Sequence, residues 1–153
     1  MPRGYAPVAV VLLLAVTVVA AAAVATAVPA LPGDPPPQRG VAADATSDGR
    51  VAVTLHAGES IDIESATVRV AVDGEPLAHQ PPVPFFAARG FHGGPSGPFN
   101  VAADQSWAVG ETASLQVAAT NSPELRVGAT LTVRVLVDGR VVAVGETTVE
   151  KAS

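Results

Sequence analysis

Three histidines, one serine and a short acidic run are the residues of this chain that could do chemistry. His56, His79 and His92 are scattered, and no His-x-x-x-His pair occurs to offer a metal two ligands from one helix face. A His79–His92–Asp104 constellation would need a folded loop to assemble it. "GGPSGP", residues 93–98, superficially matches a nucleophile elbow around Ser96. That motif, Gly-x-Ser-x-Gly, requires glycine where Pro98 stands, and no strand-to-helix context surrounds it. Ser96 therefore reads as a turn residue. Glu59, Asp62 and Glu64 sit near a strand turn, where solvation explains them better than acid–base catalysis. There is no cysteine, which removes thiol chemistry, Cys-ligated metals and disulfides. No glycine-rich loop precedes a helix to cradle phosphate, and neither Asn100-Val-Ala nor Asn121-Ser-Pro is a usable glycosylation sequon. The expectation is a protein without catalytic residues, metal ligands or cofactor.

Charge narrows the partners. The formal net charge is −5, and all 14 acids lie beyond residue 33 with every base except Arg3. Such a surface disfavours nucleic acid and anionic lipid. Lys151 is the only lysine. An acidic, Lys-poor, Ala/Val-rich chain suits high salt, although a GC-rich genome produces the same bias.

The elements that must carry any function begin with an apolar run. Val8 to Val28 is 21 residues in which only Thr17 and Thr26 are polar. As a helix at ~1.5 Å per residue it covers about 30 Å, one hydrocarbon core. No polar face breaks it, as a soluble helix would require. Pro7 suits the first turn, and Pro29 and Pro32 stop the helix. Arg3 on the near side places the N-terminus in the cytoplasm and the remainder outside. Three fates fit such a segment. It can be a retained anchor, a rod that packs against copies of itself, or a secretory signal cut after Ala25-Thr26-Ala27.

Residues 30–48 read as a linker, with Pro35 to Pro37 favouring an extended spacer. The pattern then turns to period two over 49–150. Val51, Val53 and Leu55 alternate, a turn follows at Gly58-Glu59-Ser60, and Ile61 and Ile63 continue the alternation. Val68, Val70 and Val72 end at Asp73-Gly74. Thr112 to Ala119 alternates through Ala113, Leu115 and Val117. Leu131, Val133 and Val135 lead to Asp138-Gly139 and a strand over 141–149. Asp-Gly is a strong two-residue hairpin turn, because both positions tolerate positive φ. "TVRVAVDGEPLA" (67–78) and "TVRVLVDGRVVA" (132–143) agree at eight of twelve positions, as two similar hairpins or as an internal duplication. The fold expected is mainly β: an N-terminal hydrophobic α-helix followed by an immunoglobulin-like antiparallel β-sandwich.

One stretch breaks the rhythm. Residues 79–100 hold five prolines, four glycines and all four phenylalanines. Long loops without regular structure are uncommon in compact domains unless ordered or functional. Phe85, Phe86, Phe91 and Phe99, with Trp107, are expected either to plug an open end or edge of the sandwich or to form an interface patch.

Taken together, these stretches resemble a family. "RGYAPVAVVLLLAVTVVAAAAVATAV" is similar to the N-terminus of archaeal type IV pilins, especially haloarchaeal ones, with their class III signal peptide: a short charged leader ending in glycine, a small residue and proline, then an unbroken apolar helix. "VTLHAGESIDIESATVRVAVDG", "FNVAADQSWAVGETASLQVA" and "LRVGATLTVRVLVDG" resemble the strands and Gly-containing turns of the same proteins. The resemblance covers nearly all of the chain. One departure stands at Ala9, where many bacterial pilins carry glutamate, so no salt bridge from that position is expected.

The resemblance implies a leader over 1–4, cleavage between Gly4 and Tyr5 by a membrane prepilin peptidase, and a retained helix over 5–29. That helix would rest in the membrane and then enter a filament core, packing through Val8, Val11, Leu12, Ala15, Val18, Val19 and Ala22. The partners implied are other pilin subunits, the peptidase and the pilus assembly machinery. The location implied is first the membrane, N-terminus inside, and then the cell surface, with adhesion as an attendant role. A membrane-anchored or secreted β-sandwich binding domain is the alternative.

Overall fold

A computed structural model describes residues 38–153, which fall within one compact unit, Pro36–Ser153. The helix expected over 5–29, the leader and the first part of the linker lie outside the described residues.

The described chain is mainly β, built of antiparallel sheets. Nine strands follow in order: β1 (Gly40–Ala45), β2 (Arg50–Ala57), β3 (Ile61–Asp62), β4 (Ala66–Val72), β5 (Glu75–Pro76), β6 (Ser106–Trp107), β7 (Thr112–Gln116), β8 (Thr130–Val137) and β9 (Arg140–Thr148). They make a three-stranded sheet β1-β2-β7, a two-stranded pair β3-β6, and a four-stranded sheet β5-β4-β8-β9. β1 also runs alongside β9. The Arg39 N–H donates to Val142 O at 2.8 Å, the Glu150 N–H to Ala45 O at 3.0 Å, and Thr46 bridges Glu150 in parallel.

Period-two patterning produces these strands. Val51, Val53 and Leu55 of β2, Val68, Val70 and Val72 of β4, and Leu131, Val133 and Val135 of β8 are all buried in one cluster with Phe99 and Trp107. Their alternate neighbours Thr67, Arg69 and Arg134 are exposed. A one-residue slip would move each apolar set to the solvent side, which fixes the register. Both Asp-Gly turns take positive φ at both central residues, Asp73 at 51° with Gly74 at 80° and Asp138 at 51° with Gly139 at 79°. That conformation matches the strand twist.

Three details correct the sequence reading. Residues 40–45, expected inside the 30–48 linker, form β1, so the β unit starts before residue 49. Val41 and Ala45 are its buried positions, and Asp44 between small residues hid the pattern. Ile63 does not continue the strand begun at Ile61. Asp62 accepts the Glu64 N–H at 3.1 Å and caps a 3-10 turn, Ile63–Ser65, that swings Ile63 into the core. The strand expected over 112–119 ends at Gln116, although Val117 still bridges Phe91.

Candidate functional site

Residues 79–100 make up most of the longest stretch of the described chain without a regular strand, and they join two sheet edges. At one end lies β4, whose partner β5 is only two residues long. Beyond it the Gln80 side chain takes the place of a strand. Its Oε1 accepts the Val70 N–H at 2.7 Å and its Nε2 donates to Val70 O at 3.0 Å. The amide thus reproduces both hydrogen bonds a neighbouring peptide would make. At the other end the segment lies along the outer edge of β7. The Ser96 N–H donates to Ser114 O at 2.9 Å, the Ser114 N–H returns to Ser96 O at 3.1 Å, and the His92 N–H donates to Gln116 O at 2.9 Å. An open edge invites pairing with other chains, and this one is occupied from within.

Two further amides pin the segment. Asn121, 5% exposed, accepts the His79 N–H at 3.0 Å and donates from Nδ2 to His79 O at 2.9 Å and Gly90 O at 3.2 Å. Asn100 donates to Pro95 O at 2.8 Å and accepts the Ala102 N–H at 2.9 Å. Gly97, at φ +65°, lies so close to β7 that an added Cβ would stand 2.4 Å from Thr112 O.

The aromatic residues divide under this frame. Phe85, Phe91, Phe99 and Trp107 are buried, whereas Phe86 is 62% exposed. Phe99 meets Trp107 edge to face at 5.4 Å between ring centres, and Phe85 lies 5.8 Å from Phe91. The Trp107 indole N–H donates to Glu111 O at 2.9 Å, so the ring is buried with its one donor satisfied. Gly4, Tyr5, Val8, Val11, Leu12, Ala15, Val18, Val19 and Ala22 lie outside the described residues.

The polar residues considered for chemistry do not converge. Among the described residues no group of three or more His, Asp or Glu gathers as a metal site would require. Ser96 works through its backbone in pairing with β7. A cleft of about 160 Å³ lies between His92, Ser96, Ser114 and Arg50, smaller than the ~300 Å³ at which drug-sized ligand sites begin. A wider, open depression of about 380 Å³ carries Asp62, Asp104, Gln105 and Ser106. Asp48, fully exposed, is held below the usual carboxylate range, first by the Thr46 hydroxyl and then by the Arg50 N–H, both donating to it.

Sequence reasoning missed Gln80 and Asn121. Asn121 had shown only as a failed sequon, and nothing marks one polar amide among many as a hub. Pro81-Pro82 beside Gln80 and Pro123 two residues after Asn121 mark irregular chain at both positions and do not mark the amides themselves.

No family model matches the chain, and no curated protein matches it. The functional reading therefore rests on the residues themselves. Among the described residues no helix is long and apolar enough to cross a membrane. The apolar run 8–28 lies outside them.

Proposed function

We propose that this chain is a structural subunit of a type IV pilus-like surface filament of archaeal kind. Residues 5–29 form the helix that spans the membrane before assembly and packs into the filament core afterwards. The β unit is an immunoglobulin-like sandwich carried on the outside, available for adhesion. The observation that carries this reading is the discontinuity at Pro29. Before it stand 21 residues without an ionisable group, and after the Pro-rich stretch comes an acidic β unit with its own core. An uncharged rod of that length is stable only in lipid or against its own kind, and its Ala-rich half, 20–27, lets neighbouring backbones approach closely. The sandwich assignment is supported by the meeting of both larger sheets in one hydrophobic cluster and by β1 running beside β9.

A prepilin peptidase acts between Gly4 and Tyr5, ahead of the apolar run, and leaves the helix on the mature subunit. Of the alternatives, a secreted β binding domain is favoured by the Ala25-Thr26-Ala27 site, and an anchored one keeps the helix without a filament. Shearing filaments from native cells tests the proposal. The chain is expected among the sheared filament proteins, and Gly4→Val is expected to abolish its appearance there. Recovery solely as soluble protein or in the membrane fraction would refute it.

A further inference from the structure

The two similar hairpin sequences are neighbours in space. Aligning 67–78 with 132–143 matches Arg69 to Arg134, and the antiparallel β4–β8 register pairs the same two residues across the sheet. A local two-fold axis therefore runs between Arg69 and Arg134. Both side chains are exposed, while Val68, Val70, Val133 and Val135 on either side are buried. Like charges directly opposite on a sheet destabilise it. Neither guanidinium makes a hydrogen bond or ion pair with a described residue. The acid nearest by register on this face is Glu146, one row away opposite Thr132. Val144, opposite Arg134, is 52% exposed, and Val141, opposite Leu136, is 39% exposed. Two unpaired guanidinium groups beside exposed aliphatic side chains leave charge and apolar surface free for a partner.

We propose that the Arg69–Arg134 face of the four-stranded sheet docks the acidic Asp62–Asp104 depression of a second copy of this chain. The inference rests on the assembly reading above, which brings copies together. Charge complementarity selects the occupant. Asp62 and Asp104 line one open depression on the β3-β6 pair, a different patch of the same acidic molecule. Both carboxylates already accept local N–H or O–H groups, so their positions are set before docking: Asp62 from Glu64 and Ser65, and Asp104 from Ser106 at 2.9 Å. Two unlike patches that fit each other make a heterologous contact, which propagates as an open chain when the rotation does not close.

The absence of cysteine makes the test direct. Full-length chains carrying Val144→Cys and Ser106→Cys, co-expressed in the native envelope, leave all four charges in place. A disulfide-linked dimer is expected from the mixture and not from either chain alone. Adding Arg134→Glu to the Val144→Cys chain is expected to cut that dimer at least about tenfold, and Asp104→Arg on the other chain to restore it. Filaments without the cross-link would overturn this contact and leave the subunit reading standing. Neither filaments nor cross-link would overturn both. A cross-link indifferent to the charge reversals would overturn the complementarity on which the contact is argued.

Discussion

The two Asp-Gly hairpins begin alike and end differently. "TVRVAVDG" and "TVRVLVDG" each form a strand and the same turn. The second hairpin then returns through nine residues of β9, while the first returns through only the two residues of β5. Pro76 stands where the second hairpin has Val141, and it brings no N–H to the ladder. The difference propagates. In the second hairpin Val135 pairs with Ala143 of β9. In the first the equivalent Val70 gives its N–H to the Gln80 side chain, and its carbonyl is shared between the Leu77 N–H and that same amide. The truncated strand frees the chain to leave as the 79–100 segment, cross to β7 and bring its rings into the core. A shared sequence thus sets the turn, and the residues just after it decide whether a sheet continues or is closed by something else.

The comparison breaks most severely at the rings. Phe99→Ala, at a site with no exposure, is expected to destabilise the fold by ~3–5 kcal/mol in denaturant unfolding. Phe86→Ala, at a largely exposed site, is expected to change it by less than about 0.5 kcal/mol. Equal midpoints for the two variants would remove the argument that this segment contributes to the core.

Gln80→Leu comes next. It leaves the Val70 N–H without a partner, while the Val70 carbonyl keeps the Leu77 N–H, at a cost of about 1–3 kcal/mol. Hydrogen exchange should show the Val70 amide losing protection while Val135, paired by backbone, keeps its own. Protection lost equally at both would mean global unfolding and not release of one edge.

The turns should behave as a matched pair. An added Cβ at Gly74 or Gly139 meets nothing within 4 Å, so Gly→Ala there costs only the backbone conformation, about 1–2 kcal/mol at each. A large inequality between the two thermal shifts would show that the hairpins differ already at the turn.

The smallest effect concerns acid. The Asp48 carboxyl is lowered in the folded state by the Thr46 hydroxyl and the Arg50 N–H. Its contribution is therefore present above the ordinary carboxylate pKa and is lost as pH falls through the lowered folded value. Asp48→Asn should lower stability slightly at neutral pH, and the gap to wild type should close in acid. A gap that widens in acid would contradict the sign.

The legibility of the fold follows the same division. β2, β4, β8 and both turns were readable because one buried face imposes period two and a tight turn imposes Asp-Gly. β1 was not, because a short strand of small residues between β2 and β9 needs little apolar bulk and carries Asp44 on its open face. That at least two of the four Phe rings would be buried could be anticipated from ring area. Which ring would remain outside could not, because Phe85 and Phe86 are chemically identical neighbours and hydrogen bonds from Gly94 and to Phe99 decide their directions. Gln80 and Asn121 were invisible because the backbone groups they pair, Val70 for one and His79 and Gly90 for the other, are brought to them only by the fold. The Arg69–Arg134 pairing needs the register, which no single strand contains.

The central claim is that the apolar run remains on the mature subunit, joined to this β unit. Intact mass spectrometry of the protein from its native envelope measures that directly. The account predicts a mature terminus at Tyr5, with the 5–29 helix retained and the mass shifted only by loss of the residues before it. A terminus at Val28 would contradict it, because the rod would then have been discarded and the β unit secreted alone.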